Sequence, residues 1–146
     1  MQFRKSTQQD LDYVRQNPYE GSLKHYPYSD VAEENCFTAI FKDEIVGLGG
    51  LVVHWKGMAE AWLILTDHCR KDGLHGIIAL GAIRDKMEEL IEENKTVRVQ
   101  AAVRVDFPIA IKMIEFLGFK RESRMEKYCP DGCDSYRYVK FYDREQ

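Results

Sequence analysis

The chain has 146 residues, a formal net charge of −3, 45% hydrophobic residues and 31% charged residues. This length suits one domain over residues 1–146, and the hydrophobic share can fill a continuous core. The acidic balance argues against nucleic-acid binding, since proteins that contact phosphates carry an excess of lysine and arginine. No apolar run approaches the roughly 20 residues that cross a bilayer, and the opening MQFRKSTQQD lacks the apolar stretch of a secretory signal. We therefore expect a soluble, cytoplasmic protein.

The beginning of the chain predicts a strand and a helix, followed by a long irregular segment. Phe3–Lys5 can form a short strand, and Ser6 or Thr7 can cap a helix over Gln8–Arg15. The segment Asn17–Asn35 is rich in proline, tyrosine and acidic residues and shows no sustained period. Long segments of this kind in compact domains often have a functional role.

The next part of the chain predicts a β-hairpin and a central strand. Cys36–Phe41 and Ile45–Val53 are the two arms of the hairpin. Three glycines inside its second arm indicate a bulge or a close approach of backbones: Gly47, Gly49 and Gly50. The segment Ala59–Thr66, AEAWLILT, is the most apolar strand and is expected at the centre of the sheet.

The second half of the chain predicts two helices and three strands. A helix over His75–Asn94 has apolar residues at helical spacing, and the strand Val97–Val103 follows it, which favours a parallel crossover. Pro108 can open a second helix that reaches Leu117 and ends at Gly118. The last two predicted strands form a second hairpin and comprise Glu122–Tyr128 and Ser135–Tyr142.

The four cysteines are expected to be free thiols. Cys129 and Cys133 flank Pro-Asp-Gly, a sequence typical of a tight turn. The other two, Cys36 and Cys69, are isolated in the sequence. A zinc site needs a further cysteine or histidine pair nearby, and the sequence contains none, so we expect no metal.

This order of elements resembles the GNAT superfamily of N-acetyltransferases over nearly the whole chain. Three segments carry the resemblance: FRKSTQQDLDYV, AEAWLILTDHCRKDGLHGIIALGAIRDKM and AIKMIEFLGFKRE. It implies an α/β (α+β) GNAT acyl-CoA N-acyltransferase fold, a central mixed twisted sheet of about six to seven strands with helices on both faces. It also implies acetyl-CoA as the cosubstrate and a primary amine as the acceptor, on a small molecule or a protein, in a monomer or homodimer.

The loop before the long helix carries most of the implied cofactor site. A helix N-terminus presents unpaired N–H groups and a partial positive charge to phosphate. The family motif is Gln or Arg, two residues, Gly, one residue, then Gly or Ala; Arg70 and Gly73 match it, whereas His75 replaces the last small residue. By resemblance, the contacts are Leu63, Ile64 and Leu65 for the pantetheine arm and Arg70, Lys71, Asp72, Gly73, Leu74, His75 and Gly76 for the pyrophosphate.

The resemblance also suggests catalytic residues. Glu60, near the start of the central strand, matches the general-base glutamate of some members, with an ordinary exposed glutamate as the alternative. Many members have an acid tyrosine in the late helix where this chain has Ile114, and often an asparagine where it has Phe107. A tyrosine elsewhere could be the missing acid, with a packing role as the alternative for each. Our candidate is Tyr128 in the final hairpin, and the other tyrosines that could take the role are Tyr19, Tyr26, Tyr28, Tyr136 and Tyr138. His25, His54 and His68 show no partner pattern, so we expect them to be solvated or to lie in the core.

Two functions therefore remain open. The first is an acetyl-CoA-dependent N-acetyltransferase, and the acidic, tyrosine-rich segment Asn17–Asn35 favours a cationic acceptor. The second is a catalytically degenerate GNAT-fold binding or structural protein. The altered helix and loop of this chain resemble those of small phage-encoded GNAT-like proteins, some of which are virion components. This resemblance favours the second function.

Overall fold

A computed structural model of the chain describes residues 1–19, 34–70 and 73–144, with the backbone alone at residues 70 and 73–78. The described residues contain seven strands and three α-helices. In chain order they are β1 (Gln2–Lys5), α1 (Gln8–Gln16), β2 (Cys36–Phe41), β3 (Glu44–Trp55), β4 (Met58–Leu65), α2 (Gly73–Glu93), β5 (Arg98–Arg104), α3 (Pro108–Phe116), β6 (Lys120–Met125) and β7 (Ser135–Phe141). A short 3-10 turn, Asp67–Arg70, lies between β4 and α2.

The strands form one mixed sheet in the order β1-β2-β3-β4-β5-β7-β6. β4 and β5 run parallel, as the predicted crossover requires, while β1 with β2, β2 with β3, β5 with β7 and β6 with β7 are antiparallel. Within the described ranges no helix is both long and apolar enough to span a membrane. Backbone contacts group the chain into two compact units, residues 1–51 with 63–90 and residues 52–62 with 91–146.

In the first unit, α1 is held at its N-terminus by a buried carboxylate. Thr7 is the N-cap, and the Asp10 side chain accepts from the Thr7 N–H at 2.9 Å while the Thr7 hydroxyl accepts from the Asp10 N–H, which completes a capping box. Asp10 also accepts two hydrogen bonds from Arg4 at 2.6 and 2.7 Å and one from Thr38 at 2.9 Å. The network joins β1, α1 and β2, and Leu11 on the same helix faces the core.

The glycines of β3 allow two backbones to approach closely. A Cβ at Gly50 would lie 2.1 Å from the carbonyl oxygen of Asn35, and one at Gly47 would lie 3.0 Å from that of Ile64. The register of β2 on β3 shifts between Ala39 and Ile40, which marks a bulge. The predicted bulge and close approach are therefore both confirmed.

In the second unit, α3 covers part of the sheet formed by β5, β7 and β6. Its N-cap residue, Phe107, provides no side-chain hydrogen bond, so the substitution of the usual asparagine leaves this end without a side-chain cap. Gly118 has a φ of +92° and ends the helix in the left-handed conformation, as predicted. Ile114 on α3 and Tyr138 on β7 are buried in the core.

The first arm of the final hairpin was predicted in the wrong place. We expected Glu122–Tyr128, whereas β6 spans Lys120–Met125. Lys127 leaves the extended conformation with a φ of +53°, and its N–H donates to Asp134 Oδ1 at 2.9 Å instead of to a strand. The loop of the hairpin is therefore longer than the tight turn that it contains.

Candidate active site

Glu60 lies in β4, between two buried alanines. The parallel ladder pairs Met58, Ala59 and Glu60 with the first three residues of β5, so Glu60 stands at its last rung. Its side chain is 28% exposed, which gives a half-buried carboxylate in a strand of otherwise apolar character. Such a group can exchange protons with solvent or substrate while its position stays fixed by the sheet.

A base and a cation flank the Glu60 carboxylate. His54 Nε2 lies 3.3 Å from Glu60 Oε2, and Arg137 Nη1 lies 3.8 Å from Oε1. The second distance suits an ion pair but exceeds a hydrogen bond, and Arg137 Nη1 is a buried donor without a hydrogen-bond partner among the described residues. Arg137 therefore places a positive charge beside one oxygen of the carboxylate, and His54 places a ring nitrogen beside the other.

The end of the strand, the turn and the start of the helix that are expected to hold the cofactor are present in the first unit. Ile64 is buried, whereas Leu63 and Leu65 are half-buried. Arg70 ends the 3-10 turn, Lys71 and Asp72 lie outside the described residues, and Gly73, Leu74, His75 and Gly76 form the first turn of α2. That turn contains no acidic residue, so its N–H groups keep a favourable field for phosphate.

The end of β4, where a cofactor could bond to the strand backbone, is already occupied by another part of the chain. The Leu65 carbonyl accepts the N–H of Tyr19 at 3.0 Å, and Pro18 forms an isolated bridge with Thr66. The end of β4 is thus already paired with the start of the segment after α1. A ligand that bonds to the Leu65 carbonyl must therefore use its second lone pair.

A second series of polar side-chain contacts holds the 3-10 turn in place. Tyr13 Oη lies 2.7 Å from His68 Nε2, and His68 Nδ1 lies 3.0 Å from Glu44 Oε2, within ion-pair distance but not aligned as a hydrogen bond. The rings of Tyr13 and His68 stack with an interplanar angle of 7°. These contacts connect α1, the first residue of β3 and the 3-10 turn that leads into α2.

The structure does not bring Tyr128 into contact with Glu60. Tyr128 is 47% exposed in the loop after β6, and no hydrogen bond joins the two among the described residues. Ile114, at the usual acid position, is only 7% exposed and is a core residue. Most of the segment Asn17–Asn35 and His25 lie outside the described residues, at positions 20–33.

The cysteines carry free thiols, and the part of the chain that the structure describes has no group of three or more His, Cys, Asp or Glu side chains arranged for a metal. Two histidines without a partner pattern in the sequence do have partners in the structure, His54 and His68. For His54 no reliable signal existed, because a two-residue turn at Lys56-Gly57 places residue 54 opposite residue 59 and not opposite Glu60. For His68 no signal existed either, since Tyr13 and Glu44 are remote in the sequence.

Solved structures match this fold, although no family model and no curated protein matches the chain. Ard1 from Thermoplasma volcanium aligns with a TM-score of 0.74 at 16% identity over 98% of both chains. A mutant spermidine N-acetyltransferase from Vibrio cholerae aligns with a TM-score of 0.74 at 16% identity, over 97% of this chain and 95% of the other. A GNAT-family acetyltransferase from Bacillus anthracis gives 0.70 at 19% identity over 95% and 93%. The chain therefore has the α+β fold of the GNAT acetyltransferases, as predicted.

Proposed function

We propose that this protein is an acetyl-CoA-dependent N-acetyltransferase of the cytoplasm that acts on a primary amine. The acceptor class includes small amines, aminoacyl groups and protein lysines. The observation that carries the proposal is Glu60, a half-buried carboxylate held between His54 and Arg137 in a chain with the acetyltransferase fold. Similarity of fold is a prior for activity, and this cluster supplies a chemical reason.

Acetyl-CoA, when bound, supplies an activated acetyl thioester. The residues expected to hold its pyrophosphate are the backbone N–H groups at the start of α2, where Gly73 has no side chain to obstruct the approach. Leu63 and Leu65 are half-buried and suited to contact an apolar arm. Arg70 and Lys71 add positive charge to the same stretch of sequence, which favours an anionic ligand.

The residues of the chain have distinct roles in this proposal. Glu60 Oε2 takes a proton from the acceptor ammonium group, and a primary amine must lose this proton before it can attack. His54 Nε2, 3.3 Å away, receives or shares that proton, and Arg137, 3.8 Å from Oε1, provides a positive charge beside the carboxylate. Tyr128 is proposed to donate a proton to the leaving thiolate, because Ile114 has no proton to donate.

The substitution Glu60→Gln tests this assignment because it keeps the shape and removes the proton acceptor. We expect kcat/KM to fall by about 10²–10⁴-fold at neutral pH. Glu93→Gln, an exposed position at the end of α2, is the matched control and should retain the wild-type rate. Wild-type activity and an unchanged pH profile in Glu60→Gln, with acetyl-CoA still bound, would remove Glu60 from the mechanism.

A second candidate function rests on two observations. Ile114 occupies the usual acid position as a core residue, and the Leu65 carbonyl is already paired with Tyr19. Both suit a GNAT-fold binding or structural protein without catalysis, such as a phage virion component. A thermal melt with acetyl-CoA separates the candidates: no shift, together with no acetylation of a panel of amines, favours this second function.

A further inference from the structure

The loop between β6 and β7 brings two cysteines face to face. Gly132, with a φ of +86°, donates its N–H to the Cys129 carbonyl at 2.8 Å, and the Cys129 N–H donates to the Cys133 carbonyl at 2.9 Å. One backbone hydrogen bond therefore joins Cys129 to Cys133, while the second bond of the turn ends on the neighbouring residue, Gly132. A backbone hydrogen bond between two residues holds their Cα atoms at a separation comparable with the range of about 4.4–6.8 Å that disulfides span.

The two sulfurs also approach one common atom. Cys133 Sγ lies 3.4 Å and Cys129 Sγ 4.0 Å from the carbonyl oxygen of Asp134. The two side chains therefore converge on one place in the loop. A bond between the sulfurs requires both side chains to rotate towards each other there.

The two thiols differ in exposure, so that Cys133 can react first with a small reagent and Cys129 second. Cys133 is half-buried and can meet a small reagent, whereas Cys129 is 4% exposed, with its Sγ 3.2 Å from Ser135 Oγ. Burial, and then the charge of Asp106, raises the pKa of Cys133. Its reaction through the thiolate should therefore become faster as the pH rises.

The other two cysteines provide an internal comparison. Cys69 donates its thiol to the Val46 carbonyl at 3.2 Å, and burial raises its pKa to about 11. Cys36 is buried in β2, and burial raises its pKa too. Neither thiol has the paired geometry of the loop, so we expect both to stay reduced under mild oxidation.

We propose that Cys129 and Cys133 are a redox modification site that small disulfides such as oxidised glutathione convert to an intramolecular disulfide. The Cys133 thiolate attacks one glutathione sulfur, the S–S bond breaks, and one glutathione thiolate leaves and takes up a proton. The Cys129 thiolate then attacks Cys133 Sγ and releases the second glutathione. Two protein thiols are oxidised, one glutathione disulfide is reduced, and the two thiol protons end on the two glutathione molecules.

This inference does not depend on the proposed acetyltransferase activity. The bridge would draw Cys129 Sγ away from Ser135 Oγ and tie the turn at both ends, in the loop that also contains Tyr128. Cysteine pairs in proteins of reducing compartments, when they form disulfides, usually form transient ones of this kind.

The test is to incubate the folded full chain with oxidised glutathione and then to map thiols by mass spectrometry without reduction. We expect the peptide that contains both loop cysteines to lose two hydrogens, and a variant with Cys36→Ala and Cys69→Ala to react in the same way. Cys129→Ser should keep a stable glutathione adduct on Cys133, because no thiol resolves it, and Cys133→Ser should form no adduct in the loop. Reduced glutathione should reverse the bridge.

Three outcomes would overturn the inference: a wild-type loop that stays reduced while a control dithiol peptide oxidises, a stable adduct without a bridge in the wild type, or a bridge that uses Cys36 or Cys69. Circular dichroism of each variant shows whether it is folded. The double variant at positions 36 and 69 retains the whole loop, so it keeps the test decisive if a loop variant misfolds.

Discussion

The buried carboxylate of Asp10 offers the sharpest test of how the first unit is held together. Asp10→Asn keeps the size of the side chain and removes its charge. The amide can retain one acceptor oxygen for the Thr7 N–H, but it presents N–H groups to Arg4, which can only donate. The hydroxyl of Thr38, which is fully buried, also loses a charged acceptor.

The size of the effect follows from the exposure of each partner. The Arg4 side chain is 44% exposed and can recover water, so its part of the loss is small. The bonds from Thr7 and Thr38 are charge-assisted and lie in or near the core, where each is worth about 1.5–3 kcal/mol. We expect a loss of about 2–4 kcal/mol in unfolding free energy, which lowers Tm by roughly 4–16 °C in a chain of this size.

Asp12→Asn is the matched control, since Asp12 is an exposed residue of α1. It should change stability by less than about 0.5 kcal/mol. Burial alone would raise the pKa of Asp10, but the hydrogen bonds from Arg4, Thr7 and Thr38 outweigh it and lower this pKa. The stabilisation from the charge is therefore complete at neutral pH and is lost as the pH falls through the lowered pKa.

Urea unfolding of the wild type, Asp10→Asn and Asp12→Asn at several pH values measures the loss of unfolding free energy and the direction of its change with pH. The gap between wild type and Asp10→Asn should narrow from neutral pH towards about pH 3, below the ordinary pKa of aspartate. The assigned network would be refuted if Asp10→Asn were as stable as Asp12→Asn. It would also be refuted if the difference in stability between Asp10→Asn and the wild type stayed constant with pH.

Three further predictions follow from single positions. Gly50→Ala should lower the unfolding free energy by about 1–3 kcal/mol or more, because the new Cβ meets the Asn35 carbonyl oxygen at 2.1 Å. Gly81→Ala, with open space around it, should be neutral or should stabilise the protein by up to about 1 kcal/mol, and equal melting temperatures of the two variants would contradict this. Acetyl-CoA at 100 times its Kd should stabilise the protein by about 2.7 kcal/mol, and Gly73→Glu should abolish that shift by bulk and repulsion; a retained shift places the cofactor elsewhere. Tyr128→Phe should lower kcat by about 10²-fold or more if this phenol is the acid, and an unchanged kcat would assign it to the surface alone.

Much of the local structure could be predicted because it depends on residues close together in the chain. The Thr7 cap, the left-handed Gly118 after α3 and the apolar run of β4 each appear where the sequence indicates. The resemblance to the acetyltransferases also led to the correct mixed sheet. The end of β6 was missed because it depends on Asp134, seven residues away, which takes the N–H of Lys127 out of the ladder.

The candidate site shows where prediction from the sequence ended. The strand character of β4 and the position of Glu60 in it follow from a local pattern and a resemblance, but the neighbours of that carboxylate do not. Arg137 reaches Glu60 only because β7 pairs with β5, which pairs with β4, and His68 meets Tyr13 and Glu44 only when three separate elements pack together. Periodicity and turn residues thus determined the elements, while the side-chain partners that define the chemistry depended on contacts between residues far apart in the chain, which no local pattern encodes.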